Sequence, residues 1–139
     1  MDNEKKKKYL NQYRGSVRAQ KAIIEEITQL RADAMLPSLN MDGMPKGSGQ
    51  SDLSSYIAKR DELIRKLEDE MKRKIDLQRE ITERINRLDS DTEAVVLRLR
   101  YIHCLKWEEI ALKIGYEYRN VLYIHGRALR DLEIPEDFA

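Results

Sequence analysis

Apolar residues in the first third of the chain recur three and four apart. Leu10, Tyr13, Val17, Ile24 and Ile27 keep this alternation, with Gln20 filling the one gap, and it predicts a helix over about residues 4–34 with a heptad-like stripe. A partly overlapping set, Ile23, Ile27, Leu30 and Ala34, widens the apolar face, as expected of a helix packed against more than a thin seam. The alternation stops at residues 35–51, "MLPSLNMDGMPKGSGQS", which hold two of the three prolines and three of the six glycines. That composition predicts a loop, whose Met35, Met41 and Met44 would cover the adjoining helix ends.

The alternation resumes after Asp52, a residue able to cap a helix start. Ile57, Ile64, Leu67, Met71, Ile81, Ile85 and Leu88 carry it, with Arg60, Lys74 and Gln78 at seam positions. A helix over residues 52–88 would be a rod of about 54 Å at roughly 1.5 Å per residue. No small core could bury that length alone. A first helix of similar length and an ample connection make an antiparallel, coiled-coil-like hairpin the economical solution, with its polar seam residues setting register or oligomer state.

A new phase begins at Ser90, where Ser90 and Glu93 have the spacing of a capping box. The helix it announces carries Val96, Leu97, Leu99, Ile102 and Leu105. These signals divide the chain into a helical hairpin, 1–89, and a second domain, 90–139. Within the latter, Glu108–Ile114 predicts a short bracing helix with Ile110, Ala111 and Ile114 inward, and Gly115 a turn that tolerates positive φ. A last helix, about 117–132, would bury Val121, Ile124, Ala128 and Leu129 and point Tyr118, Arg119, Leu122 and Tyr123 outward. Two short helices hinged at a glycine, the second presenting a polar face, meet the demands of a helix-turn-helix. The expected fold class is all-α, a long antiparallel helical hairpin followed by a three-helix helix-turn-helix domain.

Composition agrees: 37% of residues are charged and Gly and Pro are few, the profile of long helices. A formal net charge of +1 gives no global signal for a polyanion partner, and residues 90–139 carry seven basic against nine acidic side chains. The local distribution matters more. From 118 to 130 the charges are Arg119, Arg127 and Arg130 with no acid, so the positive excess lies on the helix that would meet DNA. The Lys5–Lys8 run is expected to be solvated.

The single cysteine, Cys104, excludes an internal disulfide and a cysteine zinc cluster and fits a reducing compartment; it is expected to be half-buried. His103 and His125 have no companions at metal-ligand spacing, and Tyr101 and Trp107 are expected to pack the last three helices. There is no phosphate-cradling glycine loop and no nucleophile with a partnered base. The expectation is a non-enzymatic protein without cofactor or metal. No stretch approaches the roughly 20 apolar residues of a membrane span, which favours the cytoplasm. Gly126, inside the last helix, would allow close approach of DNA or of a neighbouring helix.

"TEAVVLRLRYIHCLKWEEIALKIG" followed by "RNVLYIHGRALRDL" resembles region 4 of the bacterial sigma-70 class of transcription factors, over Thr92 to Leu132. With the preceding hairpin and the loop "MPKGSGQSD", the layout is similar to the ArpU/RinA-like late-gene regulators of phages of Gram-positive bacteria. The resemblance implies a sequence-specific, DNA-binding transcriptional regulator of phage or prophage origin that activates late or packaging genes in a bacterial host. Its partners would be double-stranded DNA, host RNA polymerase and, through the N-terminal helices, further copies of itself. Carried over by position, Tyr118, Arg119, Asn120, Leu122 and Tyr123 stand at the base-edge and phosphate contacts, Arg127 near the backbone, and Arg98, Arg100 and Lys106 at flanking phosphates. Lys106 and Glu117 depart from the family's usual Ser or Thr at the helix starts. Two alternatives stay open: a small terminase-type packaging adaptor, and a polymerase-binding module that reads no DNA.

Overall fold

The computed structural model describes residues 2–35 and 49–138. The described residues form five helices: α1 (Asn3–Met35), α2 (Gly49–Asn86), α3 (Asp91–Tyr101), α4 (Trp107–Ile114) and α5 (Tyr118–Asp131). The fold is all-α. Met41 and Met44 of the expected loop lie outside the described residues. The helical backbone already starts at Gly49, so Asp52 sits in the first turn of α2, where its charge favours the helix dipole, and is not the cap.

The chain divides into two compact units: residues 1–16 with 74–139, and residues 17–73. The expected boundary at 89/90 is not the dividing line, because the first turns of α1 and the last turns of α2 belong with α3–α5. Their burial gives the reason: Tyr9, Leu10 and Tyr13 of α1 and Leu77, Ile81 and Ile85 of α2 are all buried, whereas no described side chain of residues 17–73 is.

In the larger unit a core of Val96, Leu99, Ile110, Ala111, Val121 and Ile124 is flanked by half-buried Val95, Leu105, Trp107 and Ile114. The Ser90 hydroxyl accepts from the Glu93 backbone N–H at 3.3 Å, capping α3. The reciprocal half of the box is missing, for Glu93 is itself buried. Between α4 and α5, Gly115 takes φ 74°, and the N–H groups of Gly115 and Tyr116 both return to the Ala111 carbonyl, at 2.9 and 3.1 Å. This left-handed closure ends α4 and turns the chain into α5.

Two side chains from the first turns of α1 lock this unit. Lys6 is buried and its Nζ donates to the carbonyl oxygens of Leu129 (2.7 Å) and Arg130 (3.0 Å), satisfying orphan carbonyls at the end of α5. Lys6 therefore departs from the expected solvated run. Tyr9 donates to the Glu80 carboxylate at 3.0 Å and meets the Phe138 ring edge-on at 5.3 Å. Cys104 is also unlike its expectation: it is exposed, on a loop backbone with φ 58°.

In the smaller unit no described side chain is buried. Residues of the end of α1 (Leu30, Ala34) and the beginning of α2 (Leu53, Tyr56) line one cavity. Half-buried positions on α1 are Val17, Ala19, Gln20, Ile23, Ile27 and Leu30, and on α2 Tyr56, Leu63, Leu67 and Glu70. The expected stripe holds at Val17, Gln20, Ile27 and Leu67 and fails at Ile24, Ile57, Ile64 and Met71, which are exposed. The apolar face of α2 is wide enough to hold two stripes side by side, and the periodicity names both without saying which is covered.

Candidate nucleic-acid interface

The outer face of α5 is built by the burial of its inner one. Val121, Ile124, His125, Ala128 and Leu129 are buried, and at 3.6 residues per turn this turns the remaining positions outward. Tyr118, Arg119, Asn120, Leu122, Tyr123 and Arg127 are all exposed, Tyr123 at 65%. Among the described residues Arg119 takes part in no ion pair. The Arg127 guanidinium lies 5.8 Å from the Tyr123 ring centre, a cation–π contact that leaves its N–H groups free to face solvent. Arg130 is instead held by Asp131 at 3.1 Å.

Both helix starts lack a side-chain cap. Lysine has no acceptor, so at α4 only the reciprocal bond forms, from the Lys106 N–H to the Glu109 carboxylate at 3.0 Å. That leaves the Lys106 ammonium in solvent. Arg98 donates to the Asn86 side-chain oxygen at 2.8 Å, and Arg100 to the Leu105 carbonyl at 3.0 Å while stacking 4.3 Å over the Trp107 ring. Of the three flanking cations, Lys106 is the one without a side-chain partner, and the two arginines also support the fold.

Beneath the outer face, His125 accepts or shares a proton with the Tyr101 hydroxyl across 2.7 Å and meets Trp107 edge-on at 4.5 Å. Burial, reinforced by the positive charges of Lys7 and Arg100, pushes its pKa down to about 4. It is neutral at pH 7 and serves packing. Burial also raises the Glu93 carboxyl, and the neighbouring Asp131 carboxylate acts in the same direction.

Lys6, Lys7, Asn11 and Arg14 are the residues near this site that sequence reasoning passed over. A signal for Lys6 existed: it lies four residues before Leu10, in phase with the buried positions. Gly126 stands in open space, with nothing within 4 Å of where a Cβ would stand, so a neighbouring helix of this chain is not its reason. Among the described residues no helix is long and apolar enough to cross a membrane, and no group of three or more His, Cys, Asp or Glu could hold a metal ion. No family model matches this chain, and comparison with curated proteins and with solved structures gives no match.

Proposed function

We propose that the protein is a sequence-specific, DNA-binding transcriptional regulator of phage or prophage type, with α4 and α5 acting as a helix-turn-helix. The observation that carries this reading is the outer face of α5, where Arg119 and Arg127 stand among exposed Tyr118, Asn120, Leu122 and Tyr123, with no acid in the sequence from 118 to 130. Laid in the major groove, such a face offers a guanidinium for guanine O6 and N7, an amide for adenine and an apolar contact for a thymine methyl. Lys106 and Arg127 would neutralise backbone phosphates. The test is a fluorescence titration of the full chain against duplexes from its own genomic neighbourhood at several salt concentrations, beside an Arg119→Ala, Tyr123→Ala variant. One duplex should bind tightly, with affinity falling as salt rises and lost in the variant. A folded protein that binds no duplex specifically even at low salt would overturn the reading and leave polymerase, contacted through Leu122 and Tyr123, as the partner.

We further propose that α1 and α2 form an antiparallel hairpin that joins two copies of the chain. Ile57, Ile64 and Met71 are all exposed and lie within about 40° of one another around α2 at roughly 100° per residue. Their spacing of seven and seven is symmetric about Ile64. A two-fold axis at Ile64 would set Ile64 on its own copy and Ile57 on Met71, the self-complementarity an isologous interface needs. Light scattering should give a dimer, reverting to monomer in Ile57→Lys, Ile64→Lys with helicity retained. A large closed ring would favour the packaging-adaptor reading, and a wild-type monomer would refute the pairing.

A further inference from the structure

A second basic site adjoins the outer face of α5, and it is made largely by the first helix. Lys7, Asn11 and Arg14 on successive turns of α1 line a cavity of about 300 Å³ with Arg100, His125 and Leu122. No acidic side chain lines it. Leu122 belongs both to this cavity and to the exposed face of α5, so the mouth of the cavity opens beside the surface described above.

We propose that this cavity is a phosphate site, and that its occupant is a backbone phosphate of the DNA next to the segment read by α5. The inference rests on the DNA-binding reading for its source of phosphate, though not for the chemistry. Arg14 and Arg100 bring two guanidinium groups to one small cavity, and such groups bind phosphate through parallel N–H donors. Asn11 adds a neutral amide donor. Among the described residues the Arg14 guanidinium makes neither an ion pair nor a hydrogen bond. Lys7 is held by Glu4 at 3.0 Å, a pair exposed enough to open at little cost. Glu108 is the acid that offsets the charge of Arg100, and it stands outside the cavity lining.

The like charges register on their neighbours. Burial and then Arg14 hold Arg100 below its ordinary proton affinity, and Lys7 and Arg100 both act on His125 in the same sense. Gathering cations that repel one another is unfavourable unless an anion joins them. A phosphate would relieve the repulsion. It would also place α1, a helix outside the helix-turn-helix, on the flank of the duplex, fixing the register of α5 without reading bases.

The test uses the full chain with Lys7→Gln, Arg14→Gln, a pair that leaves Arg100 on Trp107 and the face of α5 untouched, with helicity and melting checked first. Two readouts are taken. In the first, the variant should bind the specific duplex and an unrelated duplex each about tenfold more weakly, with a salt dependence shallower by about two phosphate contacts. An Arg119→Ala variant, by contrast, should lose discrimination between the duplexes. In the second, inorganic phosphate is titrated while the His125 and His103 ring signals are followed by NMR.

An unchanged salt dependence in Lys7→Gln, Arg14→Gln, with wild-type DNA binding intact, overturns the DNA-phosphate assignment while leaving the function standing. If inorganic phosphate then moves His125 in the wild type and not in the variant, with His103 unmoved in both, the cavity is a site for a free phosphate group. If wild type binds no DNA, the functional reading fails, and the phosphate titration alone decides the site. No shift of His125 and no change in salt dependence refute the proposal entirely.

Discussion

Acidification from pH 7 to pH 4 should destabilise the larger unit through one histidine. In the folded chain His125 titrates at about 4, against about 6.5 in an unfolded one. As pH falls, the unfolded chain takes up the proton first. The stability that depends on neutral His125 is therefore complete above about 6.5 and is lost progressively as pH falls toward the folded value. At pH 4 the loss from this group amounts to about 3 kcal/mol, since each pKa unit is worth about 1.4 kcal/mol. Protonation would place a charge beside Lys7 and Arg100 and take the acceptor from Tyr101, whose hydroxyl stands 2.7 Å away.

Carboxylates titrate in the same window, so the quantity to read is a difference between proteins. His125→Phe, Tyr101→Phe removes both polar partners together and leaves no buried donor unpaired, while keeping a ring against Trp107. Urea unfolding at pH 7 and pH 4 should show the wild type losing about 3 kcal/mol more than this variant. Equal losses in the two proteins would refute the reasoning. So would a His125 ring signal that titrates near 6.5 in the folded protein.

Lys6→Met should lower stability by about 1–3 kcal/mol, because the Leu129 and Arg130 carbonyls lose their donor; an unchanged melting curve would deny Lys6 its capping role. Ala at Gly126 and at Gly115 should act in opposite directions in one assay. Gly126→Ala gains about 0.5–1 kcal/mol in the free protein, since nothing lies within 4 Å of the added methyl. Gly115→Ala, at φ 74°, costs about 1–2 kcal/mol, and the same sign at both sites would contradict the helix and turn assigned to them. Ser90→Ala should cost about 1 kcal/mol by removing the cap of α3, seen as a lower midpoint in urea with unchanged slope.

Local signals were the legible ones. The bracing helix expected at 108–114 is found at Trp107–Ile114, and the helix expected at 117–132 is found at Tyr118–Asp131. A glycine turn and a 3.6-residue apolar repeat are decided within a few residues. The phase of α2 was not decidable in that way. Ile57 and Tyr56, or Ile64 and Leu63, are neighbours in sequence, and which of each pair is covered depends on what packs there. The same gap hid the candidate site's contribution from α1: a run of lysines reads as solvated, and only the placement of α1 among α3–α5 separates buried Lys6 from cavity-lining Lys7. Glu93 shows the limit of motif reading, as its spacing promised a capping box while its burial prevented one.

The bond between Lys6 and Leu129 spans 123 positions of chain. The larger unit is discontinuous in sequence, with residues 17–73 lying between its two parts along the chain. During synthesis, α1 would leave the ribosome long before the carbonyls it caps exist, and Lys6 would wait without them. Closing that loop has to wait until α5 has been made, whatever the order in which the rest of the chain packs. The α5 face can therefore take up its final support only after both ends of the described chain have met, which couples the appearance of a competent protein to the completion of its last helix.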